Sequence, residues 1–278
     1  MSYRNIVVHV DHSARCPERI RVASRIALVE EAHLIGVAPT GLVLLGTDSE
    51  IAALGVYYDQ TLHRLRERCN EANAAFEGQV KNLGLRSWEH RVADDEHGYA
   101  IALHGRYADL IVIGQSDVND PAIGPRMDFA EHVFLNSGRP TLIVPSAGTF
   151  DPVGTNVLIA WNASREGARA VTDALPFLKR ANRVRVLVVN GEASFEGHGA
   201  EPGADIGLYL SRHGVRVEVV QDKTQLAIGD ALLSRATDYG CDLLVMGGYG
   251  HSKFRETLLG GVTRTVLECM TVSVLMSH

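Results

Sequence analysis

Ala108-Asp109-Leu110-Ile111-Val112-Ile113-Gly114 and Cys241-Asp242-Leu243-Leu244-Val245-Met246-Gly247 are two copies of one pattern. Each places an aspartate before four apolar residues and a glycine after them. An unbroken apolar run suits a strand covered on both faces, as in a parallel sheet flanked by helices. Two more pairs follow in the same order. Ile6-Val7-Val8-His9-Val10-Asp11-His12-Ser13 matches Val157-Leu158-Ile159-Ala160-Trp161-Asn162-Ala163-Ser164, and Pro140-Thr141-Leu142-Ile143-Val144 matches Val272-Ser273-Val274-Leu275-Met276. Three pairs in register mark an internal duplication.

The turn-rich stretch from Ser146 to Thr155, with Gly148, Pro152 and Gly154, reads as a linker. The domains are therefore expected at 1–146 and 155–278. Strands are expected near 4–10, 33–38, 85–92, 109–114 and 140–145 in the first half. In the second they are expected near 156–161, 184–190, 215–220, 242–247 and 272–276. Tyr58, Leu62, Leu65, Cys69, Ala72, Phe76, Val80 and Leu83 recur at three- and four-residue spacing, one face of a long amphipathic helix. Further helices are expected over 165–180, 203–213, 225–238 and 256–269. Strand–helix alternation with right-handed crossovers gives an α/β fold of two repeated doubly wound domains. Ligands of such sheets bind beyond the carboxyl ends of the strands, so the informative residues follow the first and fourth strands.

Composition narrows the function classes. The 278 residues are 46% hydrophobic and 22% charged, ordinary for globular domains, and a length near twice a common domain agrees with the duplication. Twenty-seven Lys and Arg against 33 Asp and Glu give a net charge of −6, which argues against nucleic acid and anionic membranes as partners. Four scattered cysteines without CxxC spacing read as reduced, mostly buried thiols. The N-terminus lacks a signal-peptide pattern and no apolar run could span a bilayer, so a soluble cytoplasmic protein is expected.

The second-half loop Gly247-Gly248-Tyr249-Gly250-His251-Ser252-Lys253-Phe254-Arg255-Glu256-Thr257-Leu258-Leu259-Gly260-Gly261-Val262-Thr263 could turn its amides inward as an anion site, with Lys253 and Arg255 adding charge. A plain strand–helix connection fits the same residues. Neither the P-loop nor the dinucleotide fingerprint matches.

Gly247-x-x-Gly250, nine residues, then Gly260 resembles the G-x2-G-x9-G-[S/T] nucleotide signature of the universal stress protein family, and Val10-Asp11-His12-Ser13 resembles its first-strand turn. The resemblance spans the chain as two tandem domains. It implies five-stranded parallel sheets in the order 3-2-1-4-5 with helices on both faces, and pairing through the fifth strands, as a homodimer or within one chain. It further implies an ATP-binding stress-response and signalling module, with or without magnesium, and an unidentified protein partner. The carried-over site comprises Asn162, Ala163, Val189 (facing adenine), Gly247, Gly250, His251, Gly260, Gly261 and Val262. Asn162 replaces the family's aspartate and Gly261 its Ser/Thr. These two departures keep open the alternative of a non-nucleotide-binding interaction protein of the same fold.

In the first half Asp11 is kept, but the loop after Gly114 reads Gln115-Ser116-Asp117-Val118-Asn119-Asp120-Pro121, whose carboxylates would repel a triphosphate. That half is not expected to bind ATP in the family manner. No residue stands out as a base, so at most slow ATP hydrolysis is expected. An ATP-pyrophosphatase enzyme would need an SGGxDS-like loop after strand one, which neither half supplies. His251 fits either a phosphate contact or a solvent-facing position. Asp94-Asp95-Glu96-His97 reads as helix-capping acid. His97 and His104 lack a third metal ligand, and Asp109 and Asp242 look structural.

Overall fold

Short β-branched runs form the strands that the repeat demands. The computed structural model describes residues 2–42, 55–116, 128–191, 201–249 and 261–278. One compact unit is Tyr3–Ser137; the other is Gly138–His278 together with the first two residues.

In the first unit, β1 (Asn5–His9), β2 (His33–Pro39), β3 (Trp88–Ala93) and β4 (Leu110–Gly114) are all parallel. Their order is 3-2-1-4, from the registers Ile6↔Leu34, Ile6↔Leu110 and Leu34↔Trp88. The helices are α1 (Cys16–Glu30), α2 (Gly55–Asn82), α3 (His97–Gly105) and α4 (Phe129–Ser137). Cys69, Ala72, Phe76 and Val80 form the buried stripe of α2, while Tyr58, Leu62 and Leu65 earlier in the expected stripe are only half-buried. Gly36 makes room for this packing, since a methyl there would fall 3.0 Å from the Phe76 ring.

In the second unit, β5 (Thr141–Val144) lies antiparallel beside β10 (Ser273–Ser277), with Ile143 opposite Val274. The strand closing the first repeat thus pairs with the fifth strand of the second, and the division between units falls before it, at Ser137/Gly138. From β10 the order continues through β9 (Leu243–Gly247), β6 (Asn156–Ala160), β7 (Arg183–Val189) and β8 (Val217–Asp222), all parallel. That is the 3-2-1-4-5 order, extended by β5 to six strands.

The helix expected over 165–180 is two, α5 (Arg165–Asp173) and α6 (Leu175–Arg180). Pro176 sits in the first turn of α6, where its missing N–H costs nothing, but it could not continue α5. Then come α7 (Ala204–Arg212), α8 (Ile228–Asp238) and α9 (Gly261–Cys269); the part of the last expected helix at 256–260 lies outside the described residues. Among the described residues no helix is long and apolar enough to cross a membrane.

The repeated aspartates pin strand starts. Asp242 accepts from the backbone N–H of Gly154 (2.7 Å), Thr155 (3.0 Å) and Asn156 (3.1 Å), and its own N–H donates to the Asn156 carbonyl. Asp109 does the same with Arg4 (2.7 Å) and Asn5 (3.0 Å). Hydrogen bonds to a charged acceptor carry about 1.5–3 kcal/mol each before solvent screening. Asp242→Ala should therefore lower the urea-unfolding stability by about 2 kcal/mol, and Asp109→Ala by less. A loss under ~0.5 kcal/mol for Asp242→Ala would contradict a pinning role.

Candidate functional site

The two units use equivalent crevices, past the carboxyl ends of their first and fourth strands, in opposite ways. In the first unit β1 delivers His9, fully buried, to the crevice, and two residues later comes Asp11. Ser13 turns the chain, donating its N–H (3.0 Å) and hydroxyl (2.6 Å) to Asp11 Oδ1. Arg19 of α1 then reaches back: its Nη2 meets Asp11 Oδ1 at 2.7 Å and its Nε donates to the His9 carbonyl at 2.7 Å. Gly114 at the end of β4 leaves the space this guanidinium fills, for a methyl there would lie 2.6 Å from Arg19 Nη1. His97, opening α3, joins from the other side, its Nδ1 2.9 Å from His9 Nε2, and Phe129 packs on the His9 ring.

The electrostatics follow from burial. Burial pushes the Asp11 carboxyl up, but Arg19, His9 and the Ser13 hydrogen bonds outweigh it and hold it well below the usual carboxylate range. Burial is the main cause that lowers His9 and His97; Arg19 adds to it and Asp11 opposes it, with Glu96 also opposing at His97. The crevice is thus filled by the protein's own ion pair and two neutral imidazoles. The acid run before α3 divides as a cap should: Glu96 accepts from Tyr99 N–H at 3.0 Å, and Asp94 pairs with Arg66. His9, Arg19 and His97 escaped the sequence reading because they converge from three elements. The one available signal was a histidine and an arginine among apolar neighbours.

In the second unit the same positions read Ala160, Asn162 and Ala170. Asn162 Oδ1 repeats the turn, accepting from the Ser164 N–H (3.2 Å) and hydroxyl (2.7 Å), with Ala163 between them at φ +57°. Ser164 caps α5 by accepting from Gly167 N–H at 3.0 Å. No arginine intervenes here, and the first turn of α5 lies directly against Gly247. A methyl on Gly247 would fall 2.5 Å from Gly167 N and 2.9 Å from Glu166 Cβ. Asn162, Gly167 and Gly247 are thereby brought together; Val189 ends β7 one strand over. Gly261 and Val262 open α9, and the next residue, Thr263, accepts from Tyr249 N–H at 3.4 Å. Gly250, His251 and Gly260 lie outside the described residues. No group of three His, Cys, Asp or Glu placed to hold a metal exists among the described residues.

A parallel sheet of this order, with a glycine ending its fourth strand and a polar turn after its first, defines a doubly wound α/β protein whose crevice lies at the strand ends. Residues 155–278 match the model of the universal stress protein family. A universal stress protein from Archaeoglobus fulgidus matches with a TM-score of 0.72 and 16% identity, over 98% of this chain and 95% of that one. A putative universal stress protein from Pseudomonas aeruginosa UCBPP-PA14 matches with a TM-score of 0.59 and 17% identity, over 99% and 93%. A functionally unknown protein from Pseudomonas aeruginosa PAO1 gives 0.58 and 17%, over 99% and 92%. At these identities the likeness is one of fold. No curated protein matches the sequence.

The first-unit cluster makes two predictions. Arg19→Ala strands a buried carboxylate and should cost about 3–5 kcal/mol, whereas Asp11→Asn combined with Arg19→Ala should cost less than the single change. Urea unfolding of Arg19→Ala, Asp11→Asn and the double variant checks this; additive losses would refute it. The histidines set the pH response. Their folded pKa values lie below the unfolded 6.5, so the unfolded chain binds more protons in acid. Their contribution is complete above pH 6.5 and declines as pH falls below it. Stability should fall as the pH drops from 7.5 to 5, and His97→Gln should shrink that fall.

Proposed function

We propose that the chain is a tandem universal stress protein that binds ATP or a related adenine nucleotide in its C-terminal half, acting as a stress-response and signalling module. The observation that carries this reading is the difference between the two crevices. Where the first unit holds Asp11, Arg19 and His9 as a buried, ion-paired cluster, the second has Ala160, Asn162 and Ala170, with the amino-terminal turn of α5 against Gly247. Backbone N–H groups at a helix start favour anions, and the sequence beyond Gly247 supplies the glycine-rich loop.

On this reading Asn162 and Ala163 line the first-strand side and Val189 meets the base. Gly247, Gly250, His251, Gly260, Gly261 and Val262 surround the phosphates. The protein works in the cytoplasm, and pairing runs through the fifth strands, either between the two repeats as a pseudo-dimer or between two chains as a homodimer. Magnesium accompanies the nucleotide. The first half serves as scaffold.

Calorimetry on the full chain tests this. One ATP should bind per chain, and Gly250→Val should weaken binding at least about tenfold by filling the space where backbone approaches phosphate. Its melting temperature without ATP should stay that of the wild type. No binding at all, or two equivalent sites, would overturn the assignment.

A further inference from the structure

The repeats differ in one more respect: the first buries an ion pair at the crevice and the second a carboxylate. Counted from the first-strand turn, Asp11, Arg15 and Arg19 of the first unit become Asn162, Glu166 and Ala170 in the second. Glu166 lies in the first turn of α5, over Gly247, with its side chain only 6% exposed. Oε1 reaches Arg165 Nη2 at 3.4 Å, but that arginine is 88% exposed; Oε2 is buried and has no hydrogen-bond partner. A buried, half-satisfied carboxylate is costly unless a cation meets it, and beside a phosphate loop it would repel the bare ligand. Magnesium is typically held by one or two carboxylates plus substrate phosphates. Among the described residues, Glu166 offers this crevice one carboxylate with an oxygen that no hydrogen bond occupies.

We infer that Glu166 is the protein's ligand to a divalent cation carried by the nucleotide, so that the C-terminal half takes the cation–nucleotide complex and rejects the free polyanion. This rests on the nucleotide reading above. The remaining coordination belongs to phosphate oxygens and water, and the first unit has Arg15 at the equivalent position.

Calorimetry of the full chain with ATP, in magnesium and in EDTA, tests it. The wild type should bind about tenfold or more tightly with magnesium, and Glu166→Gln should bring that ratio close to one, mainly by improving binding in EDTA. An unchanged ratio in Glu166→Gln would overturn the role of Glu166 while leaving nucleotide binding intact. So would equal improvement under both conditions, which would mark a bystander charge. If the wild type bound ATP in neither condition, the nucleotide reading would fall, and this with it. In case the substitution disturbs folding, the wild type provides a second readout. Stoichiometric Mn2+ added with ATP should broaden the amide resonances of Gly167 and Gly247 most strongly, and broadening that spares both would refute the assignment.

Discussion

Register between the first and fourth strands is the constraint on which both crevices depend, and one carboxylate per unit sets it. Asp109 and Asp242 stand just before β4 and β9 and gather the backbone N–H groups at the start of β1 and β6. A slip of one residue in a two-sided strand would turn every side chain to the opposite face. It would also carry Gly114 and Gly247 away from the residues they accommodate. The clamp at the amino end therefore determines what meets what at the carboxyl end, a strand's length away.

From this shared frame the units diverge through a few side chains. Arg19, Asp11 and His9 are interdependent: the guanidinium binds both the Asp11 carboxylate and the His9 carbonyl, and Gly114 leaves it room. Removing either Asp11 or Arg19 strands the other's charge in a buried place, so the ion pair is stable as a set and costly in pieces. The second unit has none of the set. Its residues are small or neutral, and helix backbone occupies the position beside Gly247 that a guanidinium takes beside Gly114.

Much of this was legible in the sequence because it is periodic. Apolar runs and their repetition gave the strands, and the order of elements gave the doubly wound architecture. The repeated Asp109 and Asp242, recognised as structural from their place before the fourth strands, are the clamps. Three things were not legible. Pro176 splits one expected helix into two, because a sequence period carries across a break whenever the buried face continues. The His9–His97 contact joins residues 88 apart on a strand and a helix, and no local spacing encodes it. Glu166 was hidden for a related reason. At the start of a helix a glutamate ordinarily complements the dipole from the surface, and only packing against Gly247 reveals it as buried.

The contrast between the units also limits how either could have been built. Replacing Asp11 by asparagine while Arg19 remains would leave a buried cation facing a neutral amide, and replacing Arg19 alone would leave a buried anion. The neutral turn around Asn162 is compatible with its fold only because Ala170 has no charge to balance. Glu166 breaks that neutrality, and among the described residues its ion-pair partner, Arg165, lies almost wholly in solvent.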